Sequence, residues 1–262
     1  MTAKELIAKL EETYPIHKAV EWDNPGLQTG RSNKEIKKVL VTLDITDEVI
    51  GKAKSWGADM ILSHHPLTMT GIKKVSTDTL TGRRFLQLIQ SDICCYSMHT
   101  NYDVVEMAPV SGDMMKLQKP EILEITGVDQ RTAEYEGFGR VGALVRPVTL
   151  LECAGIVKQI FHLEHVQIFG DPEQIVQRVA ISPGSGKSMI EPAIRAKAQV
   201  LISGDIGHHE GLDAMDQGLA VIDAGHYGLE HIFMERMEQW MHIHAAELEV
   251  CTSGQKNPFE IL

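Results

Sequence analysis

An α/β fold of mostly parallel sheet covered by helices is what the sequence predicts, and three features of the 262-residue chain lead there. The apolar runs are short, nearly continuous and rich in Val and Ile, as strands buried on both faces must be. Segments of helical periodicity alternate with them. Three consecutive runs end on polar residues: Asp44, then His64 with His65, then His99 through Asp103. In open α/β sheets ligands bind at the carboxyl edge of the strands, so these termini are where chemistry is expected first.

In chain order, Thr2-Ala3-Lys4-Glu5 has capping-box spacing, and Leu6, Ile7, Leu10 and Tyr14 follow at helical intervals up to Pro15, which predicts an amphipathic helix. Residues 21–30 are turn-rich, with Asn24-Pro25, Gly26 and Gly30 around Trp22, either a surface turn or one wall of a polar site. Strands are expected at 39–43, 59–63 and 93–98, with helices over 47–56 and 79–89. Between 108 and 137, Pro109, Gly112, Pro120 and Gly127 interrupt any long element, and the stretch reads as a connector between halves. Further strands are expected at 141–145, 166–169, 176–181, 200–203, 220–223 and 248–251, and helices over 149–161, 189–198, 209–216 and 228–242. Both halves share the strand-helix rhythm without a convincing sequence repeat.

Composition narrows the function classes. With 43% hydrophobic and 23% charged residues the chain is an ordinary folded protein. A net charge of -11 argues against general affinity for phosphate backbones, so nucleic acid is not the expected partner. Four cysteines, Cys94 and Cys95 among them, form neither a CxxC pattern nor a disulfide framework. The N-terminus carries Lys4, Glu5, Lys9, Glu11 and Glu12 rather than a signal peptide, and no apolar run is long enough for a membrane span. A reduced, cytoplasmic protein is expected.

Three polar packets fit divalent-metal chemistry: His64-His65, His99 to Asp103, and Asp223 to Glu230, in which His226 and Glu230 stand four apart and share a helical face. A histidine at a strand end is also commonly a hydrogen-bonded structural residue. Three packets at predicted termini favour a dinuclear site from His64, His65, Asp103, His226 and Glu230. Because neighbours on an extended strand point to opposite sides, His64 and His65 are expected to diverge, each toward a different ion. Gly184-Ser185-Gly186-Lys187-Ser188 ends like a phosphate-binding loop, but Ile181 stands where Walker A needs glycine, which leaves a tight strand-to-helix turn. His208-His209 is a second pair, either packing at a helix start or lying near the metal cleft.

Trp22-Asp23-Asn24 with Gly26-Leu27, Ser63-His64-His65-Pro66, His99-Thr100-Asn101-Tyr102-Asp103, Gly204-Asp205 with His208-His209, and Gly225-His226 with Glu230 together resemble the Nif-three-like family, whose bacterial members are commonly labelled GTP cyclohydrolase 1 type 2 homologues. The resemblance runs from Trp22 to Glu230. It implies one domain over 1–262 made of two α/β lobes with a metal cleft between them, the segment from about 220 returning ligands to the first lobe, and no inserted middle domain. It further implies two divalent ions (Zn, Fe, Mn or Ni) on His64, His65, Asp103, His226 and Glu230, and a homohexamer. The implied activity is metal-dependent hydrolysis of a small nucleotide-like or cyclic C–N substrate; the alternative is a non-enzymatic metal-binding, metal-delivery or scaffold protein. His99 and His208 are the candidate proton shuttles, imidazole being the side chain that exchanges protons near neutral pH.

Overall fold

A computed structural model describes residues 1–261. The chain divides into two compact units, residues 1–102 with 231–256, and residues 103–230 with 257–262. It therefore leaves the first unit at the Tyr102–Asp103 bond and returns at Glu230–His231.

The first unit opens with α1 (Ala3–Thr13), whose capping box pairs Thr2 with Glu5 as the sequence predicts and whose buried face carries Leu6 and Leu10. Then come β1 (Gly26–Thr29), β2 (Lys38–Thr42), α2 (Asp47–Trp56), β3 (Met60–Ser63), α3 (Leu80–Gln90), β4 (Cys94–Ser97) and the short turn α4 (Thr100–Tyr102). In the second unit a π-helical turn, Asp103–Met107, leads into α5 (Ala108–Met114), β5 (Gln118–Val128), β6 (Tyr135–Thr149), α6 (Leu150–Ile160), β7 (Gln167–Phe169) and β8 (Ile175–Ser185). It continues through α7 (Ile190–Arg195), β9 (Val200–Gly204), α8 (His208–Asp216), β10 (Ala220–Asp223) and α9 (His226–Glu230). The chain then returns to the first unit as α10 (Ile232–His244) and β11 (Glu249–Thr252).

The first unit's sheet has the order β1-β4-β3-β2-β11, with β4, β3, β2 and β11 parallel and β1 antiparallel on the edge. Its central strands are buried on both faces, Val39 to Val41 and Met60 to Leu62 showing no exposure, which is why they read as continuous apolar runs. One core cluster packs Leu40, Ile61 and Cys95 against Ile50 of α2 and Phe85 and Leu88 of α3. The second unit's sheet, β5-β6-β8-β9-β10-β7, is mixed: β8, β9 and β10 are parallel, and β5, β6 and β7 join antiparallel. Its core gathers Val141, Ala180, Leu201 and Val221 with Ala193 and Ala214.

Two expectations are corrected. Residues 108–137 are not a connector: they hold α5 and β5, an edge strand paired with β6. Pro120 is tolerated there because an edge strand has one side without ladder partners, and the register shifts between Gln118 and Glu121. The helix expected over 228–242 is two helices meeting at His231, where the chain changes unit.

Candidate metal centre

In the first unit the chemistry lies just past the carboxyl ends of β2, β3 and β4. The backbone bends at His64 and His65, immediately after the last residue of β3. Strand alternation therefore no longer applies past Ser63, and the two rings lie 4.9 Å apart by centroid. His99, two residues past β4, joins them at 5.3 Å from His64 and 5.5 Å from His65. One ligating nitrogen from each of the three falls within 4.8 Å of the others. His64 is fully buried and packs against the rings of Tyr102 and Phe233.

Each of these histidines is oriented through Nδ1. His64 Nδ1 is 2.9 Å from the Met98 carbonyl oxygen, His65 Nδ1 is 2.7 Å from Asp44 Oδ1, and His99 Nδ1 is 2.8 Å from Asp23 Oδ1. A carbonyl oxygen only accepts, so His64 carries its proton on Nδ1 and its lone pair on Nε2; a carboxylate imposes the same tautomer on His65 and His99. This is how metal-ligating histidines are held in proteins, with an outer oxygen fixing the ring and raising its basicity. Asp23 also accepts from the Thr100 N–H and hydroxyl. Burial pushes its carboxyl upward, but the hydrogen bond and charge of His99 and the bonds from Thr100 outweigh that and hold it at about 2.

The second unit carries a corresponding arrangement. His226 opens α9 and Glu230 closes it; His226 Nδ1 lies 2.7 Å from Asp205 Oδ2 and Nε2 lies 3.0 Å from Glu230 Oε2. Both ring nitrogens thus face carboxylate oxygens, whereas a neutral imidazole has one N–H. Either a second proton or a cation must stand between Nε2 and Glu230, and the second fits a metal ligand pair. Glycine makes the room: a Cβ at Gly204 would meet the His226 backbone nitrogen at 2.4 Å, and one at Gly184 would meet Glu230 Oε1 at 2.5 Å. Asp205 takes a left-handed φ of 54°, and Asp223 secures the loops on either side by accepting from Ile206 N and Gly225 N.

The residues present therefore fit a divalent cation: neutral imidazoles of fixed tautomer with carboxylates as hard partners. Asp103, half-buried, opens the π-helical turn, a local irregularity that often marks functional positions. His208 is exposed at the start of α8 with its ring beside His209, and is not among the side chains whose ligating atoms gather among the described residues. The Gly184–Ser188 stretch is a strand end and a 3-10 turn, and Lys187 pairs with Glu210 at 2.6 Å. Burial pushes the Cys95 and Cys153 thiols up to about 12. Reasoning from sequence missed the anchoring roles of Asp23, Asp44 and Asp205. The available signal was their place at strand ends or beside the histidine packets.

Three comparisons bear on these geometries. The family model of Duf34/NIF3 (NGG1p interacting factor 3) matches residues 1–258. A Clostridium perfringens protein named GTP cyclohydrolase 1 type 2 homolog is 32% identical over 266 residues, covering all of both chains. Among solved structures, a Bacillus cereus protein related to NIF3 shares the fold with a TM-score of 0.89 at 24% identity, covering 100% of this chain and 99% of that one. Reduced HcgD from Methanocaldococcus jannaschii has a TM-score of 0.83 at 30% identity, covering 97% and 98%. No described helix is long and apolar enough to cross a membrane.

Proposed function

The chain belongs to the Duf34/NIF3 family, and from that premise we propose that it is a divalent-metal-dependent hydrolase of small nucleotide-like or cyclic C–N substrates. The observation that carries the reading is the set of four imidazoles, on His64, His65, His99 and His226, each anchored through Nδ1 to a carbonyl or carboxylate oxygen. Packing alone does not call for four histidines held through Nδ1 at strand ends; turning the Nε2 of His64, His65 and His226 to a cation and that of His99 to a proton does.

In this reading His64, His65, Asp103, His226 and Glu230 hold two ions of the Zn, Fe, Mn or Ni class. Five protein ligands are more than one four-coordinate ion accepts with a position left open for substrate. Bound ions would supply Lewis acidity, making water nucleophilic near neutral pH and polarising the electrophile. His99, its Nδ1–H held by Asp23, would take up and return the proton through the lone pair on Nε2; it is preferred over His208 because its orientation is fixed. The reading includes homohexameric assembly in the cytoplasm and a relative's printed name, GTP cyclohydrolase 1 type 2 homolog, as the guide to substrates.

The test is to load the purified chain with Zn, Mn or Fe, count ions per chain by elemental analysis, and assay GTP and related heterocycles. Two ions per chain with turnover that His65→Ala abolishes is the expected result. Two ions without turnover on any heterocycle would leave a metal-binding or delivery protein, and no bound ion would remove both readings. Light scattering reads the assembly.

A further inference from the structure

Beyond β11 the chain makes one tight turn back onto β2. Ser253 N donates to the Val41 carbonyl at 2.7 Å, Gly254 adopts a φ of 67°, and Gln255 N donates to Ser253 Oγ at 3.1 Å. Lys52 Nζ holds the turn from outside through the Thr252 and Ser253 carbonyls. The turn delivers the Gln255 carboxamide to Asp44. Its Oε1 accepts from the Asp44 backbone N–H at 2.9 Å and from Thr42 Oγ1 at 3.1 Å, while its Nε2 donates to Asp44 Oδ2 at 3.0 Å. The orientation of the amide follows from chemistry, because a backbone N–H can only donate and a carboxylate oxygen can only accept. The two oxygens of Asp44 are thereby divided, Oδ2 to Gln255 and Oδ1 to His65 Nδ1.

We propose that Gln255 is a positioning residue for His65, fixing the Asp44 carboxylate so that it holds the imidazole in the Nδ1–H tautomer with Nε2 turned to a divalent cation. Asp44 is 45% exposed at its side chain, so packing does not immobilise it. The carboxamide, gripping both its main chain and its carboxylate, supplies the constraint that burial does not. The same grip makes the chain's last strand and the metal site one hydrogen-bonded unit. Metal-ligand affinity responds to such outer partners by about 10- to 100-fold.

The inference rests on the metal-binding reading, and its test includes a readout that needs no metal. Long-range 15N–1H spectra of the metal-free full chain at pH 8 report the tautomer of His65, and competition titration with Zn reports affinity. Wild type should show Nδ1–H on His65. Gln255→Glu keeps the shape but removes the donor, and Gln255→Leu removes all three bonds. Both should mix the tautomers and weaken Zn binding about 10- to 100-fold. Lys52→Ala loosens the same turn without touching Asp44 and should leave both readouts within twofold of wild type. An Nε2–H tautomer in wild-type protein overturns the proposal at once, whether or not any variant folds. It also falls if both Gln255 variants keep the wild-type tautomer and affinity, or if Lys52→Ala reproduces their effect. A wild-type chain that takes up no Zn would sink the metal-binding reading, while the spectra would still decide the role of Gln255.

Discussion

The two units each build an aspartate-histidine pair in the same way and then secure it differently. Asp44 with His65 and Asp205 with His226 are both separated by 21 residues, both reach Nδ1 at 2.7 Å, and both bridge neighbouring parallel strands just past their carboxyl ends. In the first unit the aspartate is held by side chains: Gln255 on one carboxylate oxygen and the backbone N–H, His65 on the other oxygen. In the second unit it is held by backbone. Asp205 sits at a φ of 54°, and Gly204 lets the His226 main chain approach where a side chain would collide. The same contact can thus rest on a hydrogen-bond network or on a strained turn, and the two supports fail under different substitutions.

That contrast sets the order of the expected effects. The largest falls on the backbone-supported pair: Gly204→Ala puts a Cβ 2.4 Å from the His226 nitrogen and should cost about 1–3 kcal/mol, near the upper end because the neighbour is main chain. Chemical denaturation measures it, and a variant as stable as wild type would show that the close approach is dispensable. Next, Asp44→Ala and Asp205→Ala should each lower metal affinity about 10- to 100-fold in competition titrations; equal affinity after either would break the equivalence of the two pairs. Asp205→Gly separates strain from function. It relieves the left-handed backbone, so stability should hold or rise by about 1 kcal/mol while affinity falls, and a stability loss would contradict the strained-turn account.

A pH dependence sharpens the third anchor, His99 with Asp23. The Asp23 carboxyl is depressed from 3.8 to about 2, so its stabilisation is fully present above the unfolded value and is lost as pH falls through about 2. The stability gap between wild type and Asp23→Asn should therefore be constant above pH ~4 and shrink toward pH 2 in denaturant titrations. A gap unchanged across that range would mean that the ionised form is not what matters. The smallest effect is Lys187→Ala. It breaks an exposed ion pair with Glu210 and should leave the denaturation midpoint where it is.

Apart from the edge strands β1 and β5, the strands of both sheets were legible in the sequence because buried strands leave unbroken apolar runs, and residues 47–56 and 220–223 fall on their elements to the residue. The histidines were legible because strand ends are where polar residues interrupt such runs. What holds them was not. Asp23 lies 76 residues from His99, and Gln255 lies 211 from Asp44, and no local pattern records a partner chosen by tertiary placement. β5 was hidden for another reason: as an exposed edge it has neither a buried face to impose alternation nor an objection to Pro120. The bend at His64 and His65 was not legible, because period-two reasoning was carried past Ser63, where the strand had already ended.

The position of β11 also has a meaning in time. β2 pairs with it on one side, yet Thr42 and its contact Ser253 are 211 residues apart. At a synthesis rate of roughly 5–20 residues per second, that edge of β2 stays without its neighbour for roughly 10–40 s while the whole second unit emerges. For that interval a buried central strand is an open edge, the form most exposed to pairing with another chain. A ribosome pausing between β10 and β11 would prolong that hazard, and the aspartate that orients His65 would receive Gln255 as a restraint only after β11 had emerged.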